Sequence, residues 1–134
     1  MALRIIIVDD NAAFLRACRA LLEGQGARVV GVATTAADGL ELAGAIEADA
    51  ILVDIDLGGD SGFDVARRLV AEDNGVSAKV VLISTYPEDD FADLIAASPV
   101  AGFVAKSYLS ARSIEAVLAG GDDGPGWPSS EDSG

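Results

Sequence analysis

The chain has 134 residues, of which 51% are hydrophobic, and its 22 acidic against 9 basic residues give a formal net charge of −13. One domain with a single packed core is the simplest organisation for this length, and so acidic a chain argues against nucleic-acid binding, which needs clustered lysine and arginine. The absence of histidine excludes Ser-His-Asp and Cys-His catalysis, histidine-ligated zinc and a phosphohistidine carrier.

Apolar runs and helical patterns alternate along the chain from the first residues onward. Unbroken, largely β-branched runs predict five strands, at 4–10, 28–33, 50–53, 79–84 and 102–105. Apolar residues at helical spacing predict a helix after each strand, around 14–22, 35–47, 63–70, 91–95 and 114–118. The segment "GGDSG" after the third strand predicts a turn.

The predicted strands are continuous apolar runs and do not alternate with polar residues. Such runs are typical of a parallel sheet that is covered by helices on both faces. With right-handed crossovers, the commonest strand order for five such units is 2-1-3-4-5. We therefore predict an α/β fold of the flavodoxin-like type, a (βα)5 three-layer sandwich.

From Gly120 onward the periodic pattern stops. The segment "GGDDGPGWPSSEDSG" contains Trp127 but neither lysine nor arginine, and it predicts an acidic, disordered tail. We therefore assign residues 1–119 to the domain and residues 120–134 to the tail.

The membrane and the oxidising compartments are both disfavoured by the sequence. No apolar run approaches the ~20 residues needed to cross a bilayer, and no signal peptide opens the chain. Cys18 is the only cysteine, which excludes an intrachain disulfide and fits a reducing environment. We expect a cytoplasmic protein without a membrane partner.

Polar residues stand at the carboxyl ends of four of the five predicted strands. They are, in chain order, Asp9 and Asp10, Asp54, Ser84 and Thr85, and Lys106. Because open α/β sheets bind ligands at the carboxyl ends of their strands, we expect these residues to converge. Each also has a simpler interpretation on its own: Asp10 or Asn11 can cap the first helix, and Lys106 can be a solvated loop lysine.

Together, these residues suit the transfer of a phosphoryl group to a carboxylate. Asp54 is ionised at neutral pH and needs no histidine base to act as a nucleophile. Clustered carboxylates favour a hard cation, so we expect Mg²⁺, with Mn²⁺ as an alternative, at Asp9, Asp10 and Asp54. Lys106 would hold one phosphoryl oxygen and Ser84 would hydrogen-bond another.

Four segments carry a resemblance to a known family: "VDD" at 8–10, "LVDIDLGGDSGFDVARRL" at 52–69, "VVLIST" at 80–85 and "GFVAKS" at 102–107. Together they resemble the receiver domain of two-component response regulators. The resemblance implies that Asp54 accepts a phosphoryl group from a sensor histidine kinase or a phosphotransfer protein. It also implies that the backbone carbonyl of Asp56 joins the carboxylates in binding Mg²⁺.

The resemblance also implies how phosphorylation is sensed. Ser84, with its neighbour Thr85, would move towards the phosphoryl group while the ring of Phe103 changes rotamer. Asp56 is two residues beyond Asp54, and Tyr86 is two residues beyond Ser84. Both stand where this family tunes dephosphorylation. One departure is Ser107, which follows Lys106 where the family often has a proline with a cis bond, and a cis bond is costly for other residues.

We therefore expect a phosphorylation-activated signalling protein, which is not an enzyme beyond slow self-dephosphorylation, and which relays its signal through an unidentified protein target. The sequence resembles receivers that precede a helix-turn-helix domain. Because the chain ends soon after its last predicted helix, we expect it to be a stand-alone receiver that does not bind nucleic acid.

Two alternatives remain open at this point. "LVDIDLG" also fits the nucleophile motif of haloacid-dehalogenase-like phosphatases, although in that superfamily the paired acids follow the nucleophile, whereas Asp9 and Asp10 precede Asp54 here. The second alternative is an unphosphorylated pseudo-receiver that acts as a binding module.

Overall fold

The computed structural model describes residues 2–71 and 78–120 of the chain. Its centre is a five-stranded sheet in which all paired strands are parallel. The strands are β1 (Arg4–Val8), β2 (Arg28–Ala33), β3 (Ala50–Asp54), β4 (Lys79–Ser84) and β5 (Gly102–Ala105). Their spatial order is β2-β1-β3-β4-β5, which confirms the predicted flavodoxin-like topology.

Helices connect the strands and follow the last one. They are α1 (Ala12–Gly24), α2 (Ala36–Ala45), α3 (Gly62–Leu69), α4 (Ala92–Ala96) and α5 (Ala111–Leu118). Four of the five begin at a residue whose side chain accepts a hydrogen bond from a first-turn N–H, which satisfies a donor that the helix itself leaves free. Two short 3₁₀ turns lie at Glu88–Phe91 and Lys106–Tyr108.

The sheet is the middle layer between two apolar cores. Ile5 and Ile7 of β1 face the core that includes the buried side of α1 and α5. Ile6 and Val8 face the opposite core, which α2 and α3 complete. Successive side chains of a strand point to opposite faces, so covering both faces requires an unbroken apolar run. This is why the strands were recognisable in the sequence.

Two local features differ from the prediction. The segment predicted as a simple turn forms a two-residue antiparallel ladder, in which Asp56–Leu57 pairs with Asp60–Ser61. Gly58 makes this reversal feasible, because its φ of +73° lies in the left-handed region that favours glycine. The fourth helix is short, as predicted, but the 3₁₀ turn at Glu88–Phe91 that precedes it was not predicted.

The predicted tail at 120–134, including Trp127, lies outside the described residues apart from Gly120. Within the described part of the chain, no helix is long and apolar enough to cross a membrane. Every peptide bond described there is trans, including the one between Lys106 and Ser107.

Cys18 of α1 is buried in the core, and we expect its thiol to be inert in the folded protein. Burial, together with the charge of Asp9, raises the pKa of Cys18 to about 11, and only the thiolate is nucleophilic. Iodoacetamide at pH 8 should therefore leave the native chain unmodified and alkylate it once denaturant is added, as read by intact mass. Equal alkylation rates with and without denaturant would contradict this burial.

Candidate functional site

The polar residues predicted at the ends of four strands lie at those ends in the structure. Asp9 directly follows β1 and Asp54 is the last residue of β3. Ser84 ends β4, and Lys106 directly follows β5. Because neighbouring parallel strands end at the same edge of the sheet, these side chains share one end of the molecule.

The three predicted metal-binding carboxylates lie together at this edge. One carboxylate oxygen from each of Asp9, Asp10 and Asp54 lies within 4.8 Å of the others. The Asp9 side chain is fully buried and Asp54 is 7% exposed, whereas Asp10 is exposed. The site therefore has a buried floor and one solvent-facing carboxylate.

Lys106 bridges two of these carboxylates. Its Nζ lies 2.6 Å from Asp9 Oδ2 and 3.3 Å from Asp54 Oδ2. Burial on its own would lower the pKa of Lys106, but the two adjacent carboxylates outweigh it and raise the pKa above the ordinary lysine value. Lys106 is thus a permanent positive charge that partly offsets the repulsion among the acids.

Asp54 is a carboxylate in an unfavourable setting. Burial raises its pKa, and the negative charge of Asp9 adds to the increase. The N–H of Asp56, which donates to Asp54 Oδ1 over 3.2 Å, and the ammonium of Lys106 act in the opposite direction without reversing the shift. A further cation at the site would favour the ionised form.

The local backbone orients the two buried carboxylates in the same way. The N–H of Asn11 donates to Asp9 Oδ1 over 2.9 Å, just as the N–H of Asp56 binds Asp54 Oδ1. In each case a residue two positions later holds one oxygen in an Asx-type turn. The other oxygen, Oδ2, is the one that meets Lys106.

Asp9 Oδ2 has capacity to bind a further ligand. This oxygen forms an ion pair with Lys106 Nζ at 2.6 Å, and no other described residue donates a hydrogen bond to it. A carboxylate oxygen can accept more than one contact, and clustered carboxylate oxygens are the ligands that Mg²⁺ prefers. The residues present therefore fit a hard divalent cation.

The structure also decides which residue caps α1. Asn11 is the N-cap, because its side chain accepts a hydrogen bond from the N–H of Phe14 over 3.1 Å. Asp10 is therefore free of capping and contributes its carboxylate to the acidic cluster.

The residues predicted to sense phosphorylation or to tune dephosphorylation lie in or just after β3, β4 and β5. Ser84 is 1% exposed, and its Oγ accepts a hydrogen bond from the N–H of Tyr86 over 3.0 Å. Thr85 and Tyr86 are exposed, and the Tyr86 ring packs edge-on to Phe91. Phe103 of β5 is half-buried against the core that includes α2 and α3. Asp56 is exposed.

Two residues at the site were not predicted from the sequence. The centroid of the Phe14 ring lies 4.1 Å from Lys106 Nζ. In the sequence, the helical spacing of Phe14 indicated only a core position on α1. Gly62, at the start of α3, lies so close to the end of β3 that a Cβ there would be 2.2 Å from the carbonyl oxygen of Asp54. Phe14 and Lys106 are far apart in sequence, and Gly62 approaches Asp54 across a turn. Residue spacing therefore gave no signal for either contact.

Comparisons with known proteins agree with this architecture. Residues 5–118 match the family model of the response regulator receiver domain. The nitrate/nitrite response regulator protein NarP of Escherichia coli (strain K12) is 32% identical over 120 residues, which are 87% of this chain and 54% of NarP. Response regulator GacA of Pseudomonas aeruginosa is 27% identical over 116 residues, 86% of this chain and 53% of GacA. The chain thus spans about half the length of these curated relatives.

Solved structures show the same similarity. A two-component response regulator of the LuxR family from Aurantimonas sp. SI85-9A1 superposes with a TM-score of 0.78 at 26% identity, covering 90% of this chain and 88% of that one. A response regulator from Burkholderia pseudomallei, with a phosphorylated aspartic acid, a calcium ion and citrate, gives a TM-score of 0.72 at 29% identity over 86% of this chain and 65% of its own. This chain belongs to the response regulator receiver domain family.

Proposed function

We propose that this receiver accepts a phosphoryl group on Asp54 from a phosphohistidine of a sensor kinase or phosphotransfer protein. The observation that carries the proposal is the setting of Asp54, which ends β3 beside Lys106 at 3.3 Å and shares a cluster of carboxylate oxygens with Asp9 and Asp10. A carboxylate nucleophile next to a fixed ammonium and a fitting cation site suits phosphoryl transfer.

The proposed step forms one bond and breaks another. A carboxylate oxygen of Asp54 bonds to phosphorus while the bond from phosphorus to the donor's histidine nitrogen breaks, and that nitrogen keeps the electron pair. Lys106 would hold one oxygen of the transferred group. The three carboxylates, with the backbone carbonyl of Asp56, would hold Mg²⁺ or Mn²⁺, whose contribution when bound is to neutralise charge on that group.

Phosphorylation would then change the surface near β4 and β5. Ser84 Oγ accepts a hydrogen bond from the N–H of Tyr86 in this structure, and its own O–H is available to donate to a phosphoryl oxygen. Ser84 would move towards the phosphoryl group to make that bond. Phe103 would follow, and an unidentified protein target would bind the altered surface. The product is thus a signalling state, with at most slow self-dephosphorylation tuned by Asp56 and Tyr86.

Acetyl phosphate tests this proposal without a kinase. The protein is incubated with acetyl phosphate and Mg²⁺ and its intact mass is measured over time. A stable adduct of one phosphoryl group is expected. Rapid turnover of acetyl phosphate would instead favour the phosphatase reading, and the absence of any adduct would favour a pseudo-receiver.

Mg²⁺ should stabilise the folded protein, because it would bind the native carboxylate cluster more tightly than the unfolded chain. At a concentration 100 times its dissociation constant, the gain would be about 2.7 kcal/mol, measured as an increase in melting temperature. Asp10→Asn should weaken this response. Asp38→Asn, an exposed substitution in α2, is the matched control. A Mg²⁺ response unchanged by Asp10→Asn would argue against this cation site.

Ser84→Ala should separate phosphorylation from its structural response. Asp54 and Lys106 remain, so the variant should still form the adduct, while the hydroxyl that senses the phosphoryl group is lost. Adding beryllofluoride and Mg²⁺ should shift the NMR signals of residues 85–108 in the wild type and much less in Ser84→Ala. Ser84→Thr retains a hydroxyl and should respond like the wild type. Equal shifts in Ser84→Ala would exclude Ser84 as the sensor.

A further inference from the structure

The ring of Phe14 lies beside the ammonium of Lys106. Lys106 Nζ lies 4.1 Å from the ring centroid of Phe14, within cation–π range. The Lys106 side chain is only 11% exposed, and cation–π attraction strengthens when the ammonium is desolvated. The ammonium is thus held by an aromatic face in addition to Asp9 and Asp54.

Contacts around this ammonium link Asp9, Asn11, Phe14 and Lys106 in a continuous ring. Asp9 accepts a hydrogen bond from the N–H of Asn11, and Asn11 in turn accepts one from the N–H of Phe14. The Phe14 ring faces Lys106, and Lys106 Nζ lies 2.6 Å from Asp9 Oδ2. The N-terminus of α1 therefore fixes the ring and the carboxylate relative to each other.

The buried face of α1 is formed mainly by residues other than Phe14. Leu15, Cys18 and Leu22 are the buried side chains of this helix, while Phe14 is half-buried and packs at the margin of the same core. A leucine at position 14 could retain much of that marginal packing. What it could not retain is the aromatic face beside Lys106.

We infer that Phe14 is a positioning residue for Lys106 in phosphoryl transfer, an inference that rests on the function proposed above. Lysine is a point charge on a flexible four-carbon chain and does not fix its own direction. When Asp54 gains a phosphoryl group, Lys106 must meet a new oxygen. The ring limits where the ammonium can go, so that it reaches the phosphoryl group and is not lost to solvent.

Phe14→Leu should lower the rate of Asp54 phosphorylation by acetyl phosphate about five- to thirty-fold, which corresponds to losing a desolvated cation–π contact. Phe14→Tyr keeps the aromatic face and should stay within about twofold of the wild type. Melting temperatures are measured for both variants. If Phe14→Leu does not fold, Phe14→Met provides the same comparison with a flexible apolar chain.

A double-mutant cycle separates positioning from general packing. In a Lys106→Met background, Phe14→Leu should have no further effect on the rate. The same cycle is measured as the beryllofluoride concentration at half-saturation, which needs no transfer rate. An unchanged rate in Phe14→Leu, or equal losses with and without Lys106, would overturn the inference.

NMR of the protein without a phosphoryl donor keeps this inference distinct from the proposed function. The ε-methylene protons of Lys106 should give two separate signals with contacts to the Phe14 ring, and these signals should merge in Phe14→Leu. Lack of any adduct on the wild type would reject the proposed function, and with it the role in transfer, while the NMR test of whether Phe14 restrains Lys106 would still stand. Two separate methylene signals that persist in Phe14→Leu would reject the positioning role alone.

Discussion

Asp54→Asn should fold like the wild type and take up no phosphoryl group. The amide has nearly the shape of the carboxylate, and its oxygen can still accept the hydrogen bond from the N–H of Asp56. It lacks the negative charge that makes the carboxylate a nucleophile at neutral pH. The expected loss is therefore complete.

The stability of this variant carries independent information. The folded-state pKa of Asp54 is raised by burial and by Asp9, so the ionised form is disfavoured in the native state relative to the unfolded chain. Its charge therefore costs stability once the pH exceeds the unfolded pKa, which includes neutral pH. Since Asn carries no charge, Asp54→Asn should melt at the wild-type temperature or above it at pH 7, and this difference should shrink towards acidic pH.

Intact mass after incubation with acetyl phosphate and Mg²⁺ measures the chemical part of this prediction. Asp49→Asn is a suitable control, because Asp49 lies before β3 and binds Arg4 away from the site. That control should form the adduct. Labelling that persists in Asp54→Asn would place the acceptor elsewhere.

The centre of the sheet could be predicted because β1, β3 and β4 are buried on both faces. Residues such as Ile5 and Ile6 enter opposite cores, so the sequence signal is a whole apolar run and not a single position. The two-residue ladder at 56–61 has no such signal, since it depends on a glycine conformation and two backbone pairings. Short elements held by local backbone geometry are the ones that pattern alone does not reveal.

The site was predictable to the extent that it follows from topology. Once the strands are parallel and adjacent, residues at their carboxyl ends must share an edge, which brought Asp9, Asp54 and Lys106 into the prediction. The contact of Phe14 with Lys106 depends on how α1 lies over the end of β5, which residue spacing does not encode. The choice between Asp10 and Asn11 as helix cap likewise needed the hydrogen-bond geometry.

Gly62→Ala should be the most destabilising of the substitutions considered for this site. A Cβ at position 62 would lie 2.2 Å from the carbonyl oxygen of Asp54 and 2.6 Å from the Cα of Ile55. Both are backbone atoms, which cannot move aside by changing a rotamer. The N–H of Gly62 also donates to the carbonyl of Ile55 over 2.9 Å, so moving α3 away would strain or break that bond.

The added methyl group should therefore lower the free energy of unfolding by about 3 kcal/mol or more, at the upper end for overpacking. The melting temperature should fall by roughly 10 °C. Gly44→Ala is the matched control, because a Cβ there meets nothing within 4 Å and alanine favours the helix by up to about 1 kcal/mol. It should melt at or above the wild-type temperature. A wild-type melting temperature for Gly62→Ala would mean that α3 does not approach β3 as described. At temperatures where the variant is folded, its phosphorylation should also be slower, since relieving the overlap displaces the backbone that carries Asp54.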